Sequence, residues 1–455
     1  MRRARQMGYG LLSCMGRVTV TGILIAIGKQ FVDWTAAYKL FMIEDRMNVS
    51  KLFEISTQVC LENLTPDQLL IVHMDDTIIR KVGTKIYGTS WRRDPLGPVF
   101  HTNFIWAQRF IQLSLSLHDK NMNCESRAIP VDFHHCPSVR KPSKNATEEE
   151  LSAFKESKKK QNLSLQGLER IKLFRELLNK QGAQNRELLL SVDGSYTNGN
   201  VLKNLPPKVT LIGRVRKDVH LNYLPETEKT KGRNLIYGKE VPTPEEIRQS
   251  GDIPWTEVKA WAAGKTHTFK VKVIKSLRWR VAGKNCLMQM VVIAPLGYRL
   301  KKGGKILYRN PAYLICTDND LAIDKLIQAY IWRWEIEVNF REEKTINGCG
   351  DAQVRNQVSA AKLPAFIVAI HAFIHLAHYI ISKKHISLDL PKAKWEKPST
   401  NRRASTNNIL NIFRGNYWYE NTGKSFSDFV ENQHQIKTAN SANNLRENAV
   451  FYIRK

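Results

Sequence analysis

The stretch YIWRWEIEVNFREEK, residues 330–344, is the most informative part of this sequence. It is typical of a helix, and Tyr330, Arg333, Glu337 and Lys344 follow one another at intervals of 3, 4 and 7 residues. At about 100° per residue these four side chains fall within roughly 60° of each other and share one helix face. A carboxylate among donors suited to phosphate indicates a binding site, although a solvated helix with ion pairs has the same composition. If other acidic residues lie near Glu337 in the fold, a binding site is favoured over a solvated helix.

The composition indicates a globular protein with a polyanionic partner. A chain of 455 residues, 42% of them hydrophobic, predicts two or three domains. Lys and Arg outnumber Asp and Glu by 70 to 42, which gives a net charge of +28. Such a charge favours nucleic acid, with ribosomal RNA and an anionic membrane as the alternatives. The seven cysteines are scattered without a C-x-x-C pair, which predicts reduced thiols, a cytoplasmic location and no zinc motif.

Residues 1–66 predict a small basic helical domain that contacts DNA, with a packing extension as the alternative. No acid precedes Asp33, a feature that is also found in targeting peptides. Arg17 interrupts the apolar run, however, and no small-residue cleavage site follows it. We therefore expect helices rather than a targeting peptide.

Residues 363–381 are apolar over a length that could span a bilayer. They contain His371, His375 and His378, and no second apolar segment accompanies them, so a buried core helix is the better prediction. The three histidines share a helix face, as metal ligands can. Without a carboxylate or cysteine nearby in sequence, a metal site is not favoured here.

Two predicted strands carry acids in unusual places. Residues 69–82 (LLIVHMDDTIIRKV) form a β-branched run with Asp75 and Asp76 at its middle. Acids are costly inside a buried strand, so a ligand, an ion or an open strand end must satisfy them. Residues 186–196 (RELLLSVDGSY) place Asp193 at the end of a short apolar strand, where α/β folds carry functional groups. An Asx turn that caps the next helix is the alternative for Asp193.

The remaining segments complete an α/β organisation. Residues 100–117 predict one or two strands of a β-meander, 140–160 a polar linker, and 164–178 a helix. Four domains are expected: a basic helical domain for DNA contact (1–66), an α/β domain (67–216 and 311–385), a β-rich insertion (217–310) and a polar C-terminal tail (386–455). The strands expected after Tyr196 cover residues 209–215, 255–260, 266–274, 279–281, 287–294 and 312–317. The tail is predicted to be loosely ordered or to dock on a partner.

Three acids therefore stand out on separate local grounds: Asp75 or Asp76, Asp193 and Glu337. Three carboxylates that converge repel one another unless divalent cations lie between them. Two cations held in this way support in-line phosphoryl transfer, because one activates the attacking oxygen and the other stabilises the leaving oxygen. Ligands that are all oxygen favour Mg²⁺, two ions per site, with Mn²⁺ as the alternative.

At these residues the chain resembles the DDE transposases of bacterial insertion sequences, whose catalytic core is a ribonuclease H-like mixed sheet flanked by helices. It is most similar to the subgroup with the signature Tyr, two residues, Arg, three residues, Glu, six residues, Lys. Tyr330, Arg333, Glu337 and Lys344 match it without a gap. The order of elements also resembles that family: an acid in strand one, a β-meander, a helix, an aspartate in strand four, a β insertion and the glutamate helix.

The resemblance implies roles for individual residues. Asp76, Asp193 and Glu337 would bind the metal ions. Asp75 is the close competitor of Asp76, because the aspartate in this strand of the family either directly precedes a Thr or is separated by one residue from a Thr or Ser.

The signature residues around that triad would contact DNA. Arg333 and Lys344 would hold phosphates near the cut, and Tyr330 would contact the backbone of the terminal strand. Tyr313 lies where some relatives stack a flipped base during hairpin cleavage, although a tryptophan is more usual there.

The implied reaction is hydrolytic nicking at the ends of a mobile element, followed by attack of the freed 3′-hydroxyl on target DNA. The implied partners are double-stranded DNA, as terminal inverted repeats and target, and a second copy of the chain in the synaptic complex, without a membrane. The expected location is the cytoplasm, at the nucleoid. Three alternatives stay open: a catalytically inactive DNA-binding regulator, a ribonuclease H-like structure-specific nuclease, and a basic RNA-associated protein.

Overall fold

A computed structural model describes residues 2–98, 100–226, 235–283, 286–301, 303–384 and 403–422, with the backbone alone for 418–422. The fold is mixed α/β, with a large mixed sheet flanked by helices. The helices are α1 (Arg2–Ser13), α2 (Val20–Ala26), α3 (Thr35–Met42), α4 (Ser50–Glu62), α5 (Glu148–Lys160), α6 (Leu163–Lys180), α7 (Gly199–Leu202), α8 (Pro244–Gln249), α9 (Ile323–Trp332), α10 (Trp334–Thr345), α11 (Gln357–Lys383) and α12 (Thr406–Thr422). The strands are β1 (Leu70–Arg80), β2 (Ser90–Arg93), β3 (Phe104–Leu117), β4 (Arg127–His135), β5 (Leu188–Val192), β6 (Val209–Arg214), β7 (Asn222–Tyr223), β8 (Thr256–Ala262), β9 (Lys265–Arg278), β10 (Met288–Ile293), β11 (Gly297–Tyr298), β12 (Leu307–Tyr308) and β13 (Ala312–Cys316).

The chain divides into two compact units. The sheet unit comprises Thr57–Ile78 and Gln108–Val338. The helical unit comprises Met1–Ser56, Ile79–Ala107 and Asn339–Lys455. Strands β1 and β3 and helices α4 and α10 run from one unit into the other.

The sheet unit is built on the strand order β4-β3-β1-β5-β6-β13-β10-β9. Strands β3 and β4 pair antiparallel, whereas β1, β5 and β6 run parallel to one another. Parallel neighbours need a crossover connection, and α6 lies between β4 and β5 in the chain. Strand β5 (LLLSV) is buried along its whole length, which explains its continuous apolar sequence.

Strands from the predicted insertion continue this sheet. β13 pairs antiparallel with β6 on one side and with β10 on the other, and β10 pairs with β9. All six residues of β10 are buried. Because β10 pairs with β13, it extends the core of this sheet and does not form a separate core. Residues 279–281, predicted as a strand, instead form a loop and a turn after β9.

Two further elements differ from the sequence expectations. β4 (RAIPVDFHH) was not predicted, because its proline and its charged residues do not alternate as a strand should. Part of the expected polar linker is the helix α5, which begins with a capping box between Thr147 and Glu150. That capping box is a sequence signal for a helix start. The predicted helix at 164–178 is confirmed as α6.

In the helical unit, α1, α2 and α3 confirm the predicted N-terminal helices, and α11 is the long apolar helix. α11 is long and apolar enough to cross a membrane, yet 61% of its most apolar window is buried, as in the core helix of a soluble protein. Phe366 of α11 packs edge-on against Phe41 of α3, with ring centroids 5.4 Å apart. Of the predicted C-terminal tail, α12 packs on α1 through stacked rings of Tyr9 and Tyr417, whereas 386–402 and 423–455 lie outside the described residues.

Candidate active site

The register of β1 and β5 sets the geometry of the acids. Leu70 pairs with Leu188, and the parallel pairing continues to Met74 and Val192. One further step along this register brings Asp75 beside Asp193. Residues paired in this way on parallel strands point to the same face of the sheet, so both carboxylates leave the sheet on one side.

That side is the one covered by α9. Ser191, two residues before Asp193, donates its hydroxyl to the carbonyl oxygen of Ala329 in α9 at 3.2 Å. Side chains two apart on a strand share a face, so Asp193 lies on the α9 side as well. His73, two residues before Asp75, pairs with Ser191 in the register and so lies on the same face. Burial, followed by the charge of Arg333, lowers the pKa of His73 to about 3.

Arg333 joins two of the acids. Its Nη1 donates to Asp75 Oδ2 at 2.9 Å, and its Nη2 donates to Glu337 Oε1 at 2.8 Å. The side chains of Arg333 and Asp75 are only 14% and 16% exposed, and that of Glu337 is 34% exposed. Arg333 lies between α9 and α10 in helical conformation, so the predicted single helical run is interrupted at the residue that binds both acids. One planar guanidinium holds both carboxylates close together.

Asp75 is held in an electrostatically strained position. Its pKa is raised to about 7, first by burial and next by the negative charge of Asp193. Arg333 opposes this shift, and Asp76 adds to it. A half-buried carboxylate that is repelled by another carboxylate is a place where a divalent cation would relieve the repulsion.

Asp76 points to the opposite face of β1, as alternation along a strand requires. Its Oδ1 accepts from the hydroxyl of Tyr196 at 3.2 Å, and its Oδ2 lies 3.3 Å from Nε of Arg109. The ring of Tyr196 is buried against Gly167 of α6, where the methyl group of Met74 also lies. The structure thus brings Asp75, rather than the expected Asp76, to the face of Asp193 and Glu337, and Asp76 belongs to an ion pair on the α6 side.

Asp193 follows β5 directly. Its carboxylate accepts from the backbone N–H of Ser195 at 2.8 Å and from the Ser195 hydroxyl at 3.2 Å, while Thr197 donates to its carbonyl oxygen at 2.8 Å. An Asx turn is therefore present at Asp193, but it does not cap the next helix, because the N-cap of α7 is Asn198. A carboxylate has about four acceptor positions, so these two bonds leave capacity for a cation.

Of the other residues predicted for the site, Tyr330 lies beside Arg333, whereas Lys344 lies beside Phe340. The Tyr330 ring lies 5.8 Å from the guanidinium carbon of Arg333, and burial, the largest cause, raises the pKa of its hydroxyl. Lys344 belongs to the part of α10 in the helical unit, where its ammonium lies 5.9 Å from the ring centre of Phe340 and burial lowers its pKa.

Tyr313 on β13 is 5% exposed and donates its hydroxyl to Glu245, which also accepts from Arg248. Burial, followed by the bond to Glu245, raises the pKa of Tyr313 to about 12. In this conformation the ring offers no open face on which a base could stack.

Sequence reasoning did not find Arg109 and Tyr196, which fix Asp76. Arg109 is an isolated charge in the apolar strand β3, and Tyr196 follows the Asx turn of Asp193. Charged residues are rare in buried strands, so Arg109 was the available signal for an acid nearby.

The donor set of Asp75, Asp193 and Glu337 fits magnesium, because every available ligand atom is a carboxylate oxygen. Arg333 compensates one of the three negative charges, and burial together with the charge of Asp193 still raises the pKa of Asp75. These three residues would hold the metal ions. Neither a scan against protein-family models nor a search of curated proteins found a match to this chain.

Proposed function

We propose that this protein is the DDE transposase of an insertion sequence, a DNA-cutting and DNA-joining enzyme with a ribonuclease H-like catalytic core. The observation that carries the proposal is the position of Asp75 in β1 and of Asp193 directly after the adjacent parallel strand β5, with Glu337 tied to Asp75 through Arg333. Three acids from two strands and a helix on one face of a sheet are what two-metal phosphoryl transfer needs.

The strand order supports the proposed core. An antiparallel pair, β3 and β4, lies on one side of β1, and the parallel strands β5 and β6 lie on the other. The first acid is in β1, which lies between these two groups of strands, the second follows the next parallel strand, and the third is on a helix later in the chain. This sequence of elements agrees with the order expected for the transposase family.

The charge of the chain supports a DNA substrate. With 28 more basic than acidic residues, the protein attracts a polyanion over long range, and the affinity should fall steeply with salt. The proposed strand transfer needs no ATP, since it makes one phosphodiester bond for each bond that it breaks.

In the proposed reaction Asp75, Asp193 and Glu337 would hold two magnesium ions, whose chemistry would be to activate an oxygen nucleophile and to stabilise a leaving oxygen. Arg333 keeps Asp75 and Glu337 in place and limits their mutual repulsion. The Asx turn at Ser195 fixes the carboxylate of Asp193 at the end of β5. Asp76, Arg109 and Tyr196 hold β1 from its opposite face and position Asp75 indirectly.

The test uses the full-length protein and linear DNA that carries the sequences flanking its gene. We expect Mg²⁺-dependent nicking at the element ends, and we expect Glu337→Gln to bind the DNA without cutting it. Glu335→Gln, two residues away on the same helix, is the matched control and should cut normally. Cleavage that persists in Glu337→Gln would contradict the proposal.

Two other outcomes identify the alternative functions. A wild-type protein that binds the ends and never cuts, with either Mg²⁺ or Mn²⁺, would be a regulator. Cleavage of branched DNA without preference for the element ends would indicate a structure-specific nuclease.

A further inference from the structure

The helical unit contains a group of metal-type ligands that the proposed reaction does not use. Glu342 of α10 and His371 and His375 of α11 each offer one ligand atom, and these atoms lie within 4.8 Å of one another. The two histidines are buried, and Glu342 is half-buried. In the sequence no carboxylate lies close to these histidines, because Glu342 precedes His371 by 29 residues.

The spacing of the histidines is suited to coordination. His371 and His375 are four residues apart on α11, so their rings lie on one helix face, with centroids 4.4 Å apart. His378, which shares that face in sequence, does not belong to the group. The carboxylate of Glu342 supplies an oxygen from a second helix.

Neighbouring polar groups orient the three ligand residues. The amide nitrogen of Asn347 lies 2.8 Å from Nδ1 of His371 and, as a donor, holds the ring proton on Nε2. Binding of a cation at Nε2 therefore requires the Asn347 amide to turn over, so that its oxygen accepts the proton at Nδ1. The Thr406 hydroxyl of α12 donates to Glu342 Oε2 at 2.6 Å and lies 3.1 Å from Nε2 of His375. Second-shell contacts of this kind are typical of ligands around a bound metal, where they set the ring orientation.

We infer that Glu342, His371 and His375 form a binding site for a zinc-class divalent cation that cross-links α10 and α11. Two imidazole nitrogens and one carboxylate are a common ligand set for zinc, with a fourth position open to water or to the Thr406 hydroxyl. The same set disfavours magnesium, which takes oxygen ligands. Zinc bonds are about 2.0–2.2 Å long, so the ligand atoms would move somewhat closer on binding, a change that side-chain rotation can supply.

This site is independent of the proposed function. It uses none of Asp75, Asp193 and Glu337, and its ligands include nitrogen. A protein that failed to cut DNA could still bind zinc here, and a protein that failed to bind zinc could still cut DNA.

The test loads the full-length protein with Zn²⁺, removes weakly bound metal by gel filtration and counts the remaining ions by mass spectrometry. Co²⁺ replaces Zn²⁺ in a parallel sample, since its visible absorption reports the ligand geometry. We expect one tightly held ion in the wild type. Glu342→Gln and His375→Gln should each weaken Zn²⁺ binding at least tenfold and lose the Co²⁺ band.

His378→Gln, on the same helix and outside the ligand group, is the matched control and should keep the ion, as should Asp75→Asn. Zinc held by cysteines would be the same in all variants and therefore cancels in the comparison. Circular dichroism checks the fold, and Glu342→Gln keeps the shape of a partly exposed side chain. A wild type without a bound ion, or variants that bind Zn²⁺ as tightly as His378→Gln does, would overturn the inference.

Discussion

Asp75 and Asp193 come directly after Met74 and Val192, the last pair of the β1–β5 register, and the charge of Asp193 contributes to a pKa of about 7 for Asp75. Neighbouring acids on a half-buried face are costly, and proteins retain such an arrangement where a cation or a reaction uses it. Asp76, the next residue, avoids this cost by pairing with Arg109 on the other face.

The two adjacent aspartates should therefore respond differently to substitution. Asp75→Asn removes a metal ligand and should lower Mg²⁺-dependent cleavage by ~10³-fold or more, equivalent to about 4 kcal/mol of transition-state stabilisation. Asp76→Asn removes the ion pair with Arg109 and should lower the free energy of unfolding by ~1–3 kcal/mol. Cleavage rates at a temperature where both variants are folded, together with urea unfolding, check these two effects. If Asp76→Asn lost cleavage and Asp75→Asn lost only stability, Asp76 would be the metal ligand.

The stability of the metal-free protein should depend on pH through Asp75. Its pKa is raised from 3.8 to about 7, so the folded state binds this proton more tightly than the unfolded state does. The resulting stabilisation is complete below pH 3.8 and is lost as the pH rises towards 7.

Measured in EDTA, the free energy of unfolding of wild type relative to Asp75→Asn should fall by a few kcal/mol at most between about pH 4 and 7. Chemical denaturation at several pH values gives this difference directly. A difference that stays constant, or that grows with pH, would contradict the raised pKa.

Arg333 should be needed for stability as well as for cleavage. Arg333→Gln leaves Asp75 and Glu337 without their shared cation, and removal of one partner from a buried pair costs ~3–5 kcal/mol. Because magnesium would compensate the same charges, Mg²⁺ should raise the melting temperature of Arg333→Gln more than that of wild type. Arg216→Gln, at an exposed ion pair with Asp218, is the control and should change little. If Mg²⁺ raised the melting temperature of Arg333→Gln no more than that of wild type or of Arg216→Gln, this would argue against metal binding by Asp75 and Glu337.

Gly167 allows the close approach of α6 to Tyr196, the partner of Asp76. A Cβ at this position would lie 2.7 Å from the Tyr196 ring, so Gly167→Ala should destabilise the protein by ~1–3 kcal/mol. At Gly251 a Cβ would meet nothing within 4 Å, and Gly251→Ala should be neutral or slightly stabilising. Thermal melts of the two variants check the contrast, and equal melting temperatures would show that α6 can move away without cost.

Much of the architecture was accessible from the sequence, because it depends on local patterns. Apolar runs marked β1, β5, β6, β10 and β13, periodic apolar residues marked α6, and a long apolar run marked α11. β4 could not be predicted, because a proline and charged residues interrupt its apolar pattern. That the β insertion would join the same sheet could not be predicted, since pairing with β13 depends on contacts distant in sequence.

The sequence by itself determined which acids are exceptional: an aspartate pair inside a strand, an aspartate at a strand end and a glutamate on a charged helix. Only the tertiary structure decided which member of the pair joins the others. Adjacent strand residues point to opposite faces, and the register with β5 and the position of α9 select the face that carries the site. The tertiary structure also brought Glu342 to His371 and His375, because sequence spacing carries no information on which helices pack together.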